Sequence, residues 1–219
     1  MNDQQRQKVL VSLATLSWVT VVIVAYYVIH KPFRAANLLA LGRGLAGLAQ
    51  AALTVALGTG IGLTLLSKAQ LSAAERPVWA ASLGLGVVSL TTLALGSAGL
   101  LHPWLLWALT LIGVATTAQT VWSALQEARL DRTWRPDGRF ESFLAVYCCA
   151  ALLIGLIWAL TPPTAWDGLV YHLAGPKLYL AASRVIHPID LPYLGFPQSI
   201  EMLFTWTMGL GGETGPASV

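Results

Sequence analysis

The residues of this chain best suited to chemistry lie between positions 162 and 203. Asp167 is the first acidic residue after 25 positions without a charged side chain. Its carboxylate could take a proton from a hydroxyl group or bind a divalent cation. On a helix, Tyr171 would share the face of Asp167 and His172 would be offset from it. Residue type and spacing alone favour a structural role for Asp167, because an acid in a first turn stabilises the helix. The two roles are compatible.

Other polar residues of this stretch also have two interpretations. Lys177 either meets a lipid phosphate as a point charge or extends its ammonium group to the membrane surface. Asp190 and Glu201 are further acids, and either could complete a carboxylate pair with Asp167. For His172 the residue pattern favours a boundary histidine that is hydrogen-bonded to the backbone or to water.

The composition of the whole chain indicates a lipid environment. Its 219 residues are 56% hydrophobic and only 11% charged, whereas soluble domains have about 25% charged residues. Asp, Glu, Lys and Arg are absent from residues 9–30, 44–67, 77–126 and 142–166. These runs lack the recurring polar face of a soluble helix, so a soluble globular domain and a disordered chain are both excluded.

The charge-free runs predict an all-α, polytopic transmembrane helical bundle. Crossing the hydrocarbon layer takes about 20 residues as a helix, and the longest run is interrupted at His102-Pro103. Residues 1–161 should therefore contain about five spanning helices. They are expected at 9–29, 44–66, 78–100, 104–125 and 143–161. Gly58 and Gly62 are four residues apart in the second of these and favour close helix packing.

The distribution of basic residues predicts the orientation. If the N-terminus is cytoplasmic, eight of the 13 Lys and Arg residues fall on the cytoplasmic side and five on the other. Cytoplasmic loops carry such an excess. We therefore expect an integral membrane protein with a cytoplasmic N-terminus and residues 162–193 outside. The net charge of +3 follows from basic residues that flank the membrane, and no nucleic-acid partner is expected.

Residues 162–193 interrupt the apolar pattern, because polar, aromatic and ionisable side chains are mixed with Leu and Val. Thr164 and Asp167 resemble the pair that caps a helix N-terminus. Apolar residues then recur at helical spacing, which predicts an external amphipathic helix at the membrane surface. Because a proline disrupts a helix interior, Pro176 predicts a kink or a break near Gly175.

Residues 194–219 are expected to begin a further membrane segment. The charge-free part after Glu201 has only 11 residues, which is too short to span a membrane alone. It is either a re-entrant piece or the start of a sixth helix. The chain is expected to stop partway through this partial sixth segment.

The stretch from Pro162 to Pro188, followed by FPQSIEML at 196–203, resembles the first large external loop of bacterial GT-C type membrane glycosyltransferases. These are lipid-carrier-dependent enzymes of the mannosyltransferase-like and aminoarabinose transferase-like kinds. The pattern D-x-x-x-Y-H-L at residues 167–173 carries most of the resemblance. About a fifth of the chain is covered.

The resemblance implies transfer of a sugar from a polyprenyl-phosphate donor to an acceptor on the external face of a bacterial inner membrane. Asp167 would activate the acceptor hydroxyl or help to bind a divalent cation. Many relatives have two adjacent acids at this point, whereas here Trp166 and Gly168 flank Asp167. A second carboxylate would come from elsewhere, so the metal ligands stay unknown and no cofactor is certain. The residues expected to bind substrate are Tyr171, His172, Lys177, Arg184 and Glu201.

Two other classes of membrane protein are alternatives. A transporter is disfavoured, because the five predicted spans contain none of the intramembrane acids and bases that transport paths usually require. A non-catalytic membrane scaffold or complex subunit stays open as the second interpretation. If the chain is the N-terminal part of an enzyme, we expect it to be inactive alone, because later helices normally supply more of the site.

Overall fold

The computed structural model describes residues 3–30, 35–72, 75–130, 138–159, 170, 172–187, 194 and 198–211. Over these residues the ordered structure is helical, with no strand. The described helices are α1 (Asp3–His30), α2 (Ala35–Leu65), α3 (Glu75–Ser97), α4 (Pro103–Leu130), α5 (Arg139–Ala159), α6 (Ala174–Ala182) and α7 (Ser199–Gly211).

Five of these helices, α1 to α5, are long and apolar enough to cross a membrane. This confirms the all-α membrane class expected from the composition, and one helix lies at each predicted span. Several extend past the predicted limits, because a helix can continue beyond the hydrocarbon layer into the headgroup region. The apolar window of α5 has no buried residue, as expected for a helix in contact with lipid.

Contacts divide the chain into Met1–Leu41 and Gly42–Val219. The first unit contains α1 and the beginning of α2, and every described side chain of α1 is exposed. The second unit contains the rest of α2 and the helices α3 to α7. All contacts discussed below belong to this second unit.

Local signals set both ends of α3. At its start, Ser72 and Glu75 form a reciprocal capping box: the Ser72 amide donates to the Glu75 carboxylate at 3.1 Å, and the Glu75 amide donates to Ser72 Oγ at 3.2 Å. At its end, Gly99 has a left-handed φ of 74°, and the Leu100 amide donates to the Leu95 carbonyl. This Gly-dependent turn ends α3 at Ser97 rather than at the predicted residue 100.

The backbones of α2 and α3 touch at glycine residues. A Cβ atom on Gly84 would overlap the carbonyl oxygen of Gly58, and one on Gly62 would overlap the carbonyl of Ala80. The close packing predicted from Gly58 and Gly62 is therefore confirmed, and its partner is α3. On the neighbouring face of α2, a Cβ on Gly60 would overlap Thr117 of α4.

The short helix α7 is buried and packs against α3, α4 and α6. Its 13 residues extend about 20 Å, less than the hydrocarbon thickness of about 30 Å. Trp206 of α7 joins Leu57, Val88 and Leu106 in the main apolar cluster. The core of this unit is therefore built around a segment that composition alone assigns only as a partial membrane helix.

Polar side chains fix α7 to three helices at the same time. The hydroxyl groups of Thr54 and Thr207 are 3.2 Å apart, and the Trp206 indole donates to Thr110 Oγ1 at 3.0 Å. Ser89 Oγ donates to the carbonyl of Ser199 at 2.7 Å. Such bonds between apolar helices satisfy groups that lipid cannot hydrate.

Candidate functional site

The candidate site lies at the end of the bundle where α3 connects to α4. The Leu101 amide donates to the Ser183 carbonyl, and the Val185 amide donates to the Gly96 carbonyl, both at 3.0 Å. These bonds place the end of α6 directly on the α3–α4 connection. The predicted topology assigns both segments to the external side, and the structure places them at one end of the bundle.

The conformation of α6 follows from its sequence. The helix begins at Ala174, beside the break predicted at Gly175. Pro176 lies in its first turn, where a missing amide hydrogen costs no helical hydrogen bond. Ser183 follows the helix with a left-handed φ of 55°, and the Arg184 amide donates back to the Tyr179 carbonyl. This turn leaves the Ser183 carbonyl available to accept the bond from Leu101.

The central contact of the site joins His172 to Glu201. Nδ1 of His172 lies 2.6 Å from Oε1 of Glu201, although the residues are 29 positions apart in the chain. The Glu201 side chain is 9% exposed and that of His172 is 36% exposed. Glu201 is in the first turn of α7, where the helix dipole favours a negative charge. The carboxylate partner of His172 differs from the backbone or water partner favoured by the sequence pattern.

A carboxylate bonded to Nδ1 has a defined chemical consequence for the imidazole. It holds the ring in one orientation, and it fixes the neutral tautomer that carries its hydrogen on Nδ1. The same arrangement orients histidine bases in hydrolytic active sites. The pair is therefore suited to holding or moving a proton.

Tyr179 and Gln198 form a second polar contact near this pair, and neither residue was identified from the sequence. Tyr179 is fully buried. Its hydroxyl donates to Oε1 of Gln198, the residue directly before α7, at 2.6 Å. Burial raises the pKa of the Tyr179 phenol, the bond to Gln198 opposes this effect, and the nearby Glu201 charge adds to it. The phenol therefore stays protonated and acts as a donor. Its only sequence signal is a tyrosine among the apolar residues of α6.

We expect Tyr179→Phe to lower the free energy of unfolding by about 1 kcal/mol, because one hydrogen bond is lost and the ring remains. Thermal unfolding in detergent measures the change. Tyr147→Phe is the matched control, since Tyr147 is 61% exposed on α5.

The stabilising effect of the Tyr179 hydroxyl should also depend on pH. Because the pKa of this phenol is raised in the folded protein, Tyr179 contributes stability below its ordinary pKa of about 10, and this contribution is lost as the pH rises further. The advantage of the wild type over Tyr179→Phe should therefore shrink above pH ~10. Equal losses in the two variants would contradict the prediction.

The remaining predicted site residues fall into two groups. Lys177 on α6 and Arg184 just after it are exposed, so both cations are accessible at this end of the bundle. Asp167, Tyr171 and Asp190 lie outside the described residues. Within the described part of the chain, no group of three His, Cys, Asp or Glu residues could hold a metal ion. A cation site that includes Asp167 stays a prediction.

No protein-family model, no curated protein and no solved structure matches this chain. The resemblance of residues 162–203 to GT-C external loops therefore stays a prediction.

Proposed function

We propose that this chain is the N-terminal part of a membrane glycosyltransferase. It would transfer a sugar from a polyprenyl-phosphate donor to an acceptor on the external face of a bacterial inner membrane. The observation that best supports this proposal is the contact between His172 and Glu201. His172 belongs to the D-x-x-x-Y-H-L pattern and Glu201 to FPQSIEML. Two sequence stretches that resemble the family separately thus meet in one polar contact.

The proposed reaction needs a base and a phosphate-binding group, and different residues would supply them. A lipid-linked phosphate is already a good leaving group, so the protein must supply a base for the acceptor hydroxyl and positive charge for the phosphate. Asp167 is the proposed base or cation ligand. Lys177 and Arg184 are the proposed phosphate contacts, and their exposure leaves them accessible to a donor.

This proposal gives the second acidic residue, Glu201, a role other than pairing with Asp167. Sequence alone left open a carboxylate pair between Asp167 and Glu201. Glu201 is bonded to His172, which lies five positions after Asp167 in the sequence. We therefore assign Glu201 to a carboxylate–histidine pair. In this proposal, the pair provides a group that can accept or return a proton.

We expect Asp167→Asn in the protein of the complete reading frame to reduce sugar transfer by a factor of ~10²–10⁴, the usual contribution of a positioned base. Transfer is measured with a radiolabelled polyprenyl-phosphate sugar in membranes, and donor binding is measured in parallel. Asp137→Asn is the control, because Asp137 lies in the predicted cytoplasmic loop.

Unchanged transfer by Asp167→Asn would remove the catalytic assignment. A complete protein that binds no polyprenyl-phosphate sugar would favour the non-catalytic scaffold instead.

A further inference from the structure

A second polar feature lies at the opposite end of the bundle from the His172–Glu201 pair. A cavity of about 420 Å³ lies among the end of α2, the beginning of α3 and the last turns of α4. Its charged lining groups are Arg76 and Glu127, and the uncharged polar ones include Gln119, Thr120 and Ser123. The glycosyltransferase proposal assigns no role to this cavity.

The depth of the cavity places it at a membrane boundary. Trp104 is 69% exposed at the start of α4 and is suited to one interface. Counting about 1.5 Å per residue from there, a hydrocarbon layer of about 30 Å ends near residue 124. Gln119 then lies just inside the layer and Glu127 just outside it. The cavity therefore straddles the level at which lipid headgroups meet their acyl chains.

Arg76 lines this cavity, and its side chain is 34% exposed. Its Nε atom is shielded from solvent, so the Nη atoms are the ones that can meet a group entering the cavity. Its Nη1 atom is 3.5 Å from Oε2 of Glu127, a long separation for an ion pair. A guanidinium group offers five donors in a planar fork that matches phosphate oxygens. A phosphate group in the cavity would accept hydrogen bonds from the Nη atoms of Arg76.

Glu127 restricts which phosphate compound fits. A purely anionic group bound to Arg76 would meet the carboxylate of Glu127 and be repelled by it. A compound that also carries a primary ammonium group would balance this charge and donate hydrogen bonds to the carboxylate. The hydroxyl and amide groups of α4 can bond to either part. A choline headgroup balances the charge but has no N–H to donate.

We propose that this cavity binds the phosphoethanolamine headgroup of a membrane lipid, with its phosphate at Arg76 and its ammonium at Glu127. The position at the boundary lets the acyl chains remain in the hydrocarbon layer while the headgroup enters the cavity. The predicted orientation places this lipid in the cytoplasmic leaflet.

The test is competitive lipid binding to the purified 219-residue chain, read by native mass spectrometry. Phosphatidylethanolamine, phosphatidylcholine and phosphatidylglycerol with identical acyl chains are offered in equal amounts. We expect the phosphatidylethanolamine adduct to exceed each of the others about tenfold, the effect of one charge-assisted hydrogen bond. Arg76→Gln should reduce that adduct about tenfold. Glu127→Gln should reduce the preference over phosphatidylcholine to within about twofold.

Lys68→Gln is the matched control, because Lys68 lies at the same end of the bundle but does not line the cavity. It should leave the preference unchanged. Arg76→Lys provides a second test if Arg76→Gln does not fold by circular dichroism; it keeps the charge without the planar fork and should lower the adduct severalfold.

Any one of four results would overturn the proposal. The first is equal binding of phosphatidylethanolamine and phosphatidylcholine, and the second is preferred binding of phosphatidylglycerol. The third is displacement of the lipid by an equal concentration of free phosphoethanolamine, which would assign the cavity to a soluble compound. A preference for phosphatidylethanolamine that survives in Arg76→Lys and Glu127→Gln alike would place the lipid elsewhere.

Discussion

Replacement of Glu201 by alanine is expected to lower the free energy of unfolding by about 2–3 kcal/mol. Under the proposed function, it should also reduce sugar transfer by the protein of the complete reading frame by at least a factor of ten. The side chain is 9% exposed and bonded to His172 at 2.6 Å. A hydrogen bond to a charged group contributes about 1.5–3 kcal/mol, and its removal leaves the imidazole without its carboxylate. Chemical unfolding in detergent gives the first quantity, and the radiolabelled transfer assay gives the second.

Glu141→Ala separates this contact from the general effect of an acid at a helix start. Glu141 and Glu201 both lie in the first turn of their helices, so both interact with a helix dipole, worth about 0.3–1 kcal/mol. Glu141 is exposed, and polar contacts at exposed positions are worth at most about 1 kcal/mol, so its replacement should cost less than that of Glu201. The difference between the two variants measures the specific contact with His172.

Two further variants test whether Glu201 acts through His172. In a double-mutant cycle, Glu201→Ala and His172→Ala should show a coupling of at least ~1 kcal/mol, because they share one bond. Glu201→Gln should recover most of the stability, since an amide oxygen still accepts a hydrogen bond. It should not recover transfer, because an amide can donate to Nδ1 as well as accept from it and so no longer fixes the tautomer of the ring. Additive losses, or full activity in Glu201→Gln, would show that the contact is merely structural.

The membrane class of the fold was predictable because it depends on composition. A charged residue at the centre of a bilayer is costly, so the absence of charge over each run reveals a span without knowledge of its neighbours. Helix ends depend on backbone geometry instead. The interruption predicted at His102-Pro103 is confirmed, since α4 begins at Pro103. By contrast, Gly99 ends α3 through a left-handed turn that the apolar pattern of residues 78–100 does not show.

The polar contacts of the site were less predictable, because they join segments distant in the chain. His172 and Glu201 were each named as candidates, but periodicity relates only residues of one helix. Their partnership depends on how α7 packs, and the 11 charge-free residues after Glu201 gave no sign that this helix is buried among others. Tyr179 was missed for the same reason, because its partner Gln198 lies beyond α6.

The glycine contact between α2 and α3 was predictable only in part. Gly58 and Gly62 predicted a close contact because a helix face without side chains gains from close approach. Such a pattern cannot name the partner surface, since any helix with a small residue at the right height would fit. The structure supplies Gly84 and Ala80 of α3, and this contact sets the spacing of α2 and α3.

The largest stability effect of a single added methyl group is therefore expected at Gly84. A Cβ there would overlap the Gly58 carbonyl oxygen, and neither backbone can move without separating α2 from α3. Overpacking of this kind costs about 1–3 kcal/mol or more. We expect Gly84→Ala to lower the free energy of unfolding by about 3 kcal/mol, the upper end of this range. Reversible unfolding in mixed detergent micelles measures the change.

Gly86→Ala is the matched control for Gly84→Ala on the same helix. Gly86 is exposed, and a Cβ there would meet no atom within 4 Å. Because alanine favours a helix interior over glycine by up to about 1 kcal/mol, this variant should be neutral or more stable than the wild type. Both variants share the gain in helix propensity, so their difference isolates the contact with Gly58. If Gly84→Ala were as stable as Gly86→Ala, α2 and α3 could not meet through their backbones at this point.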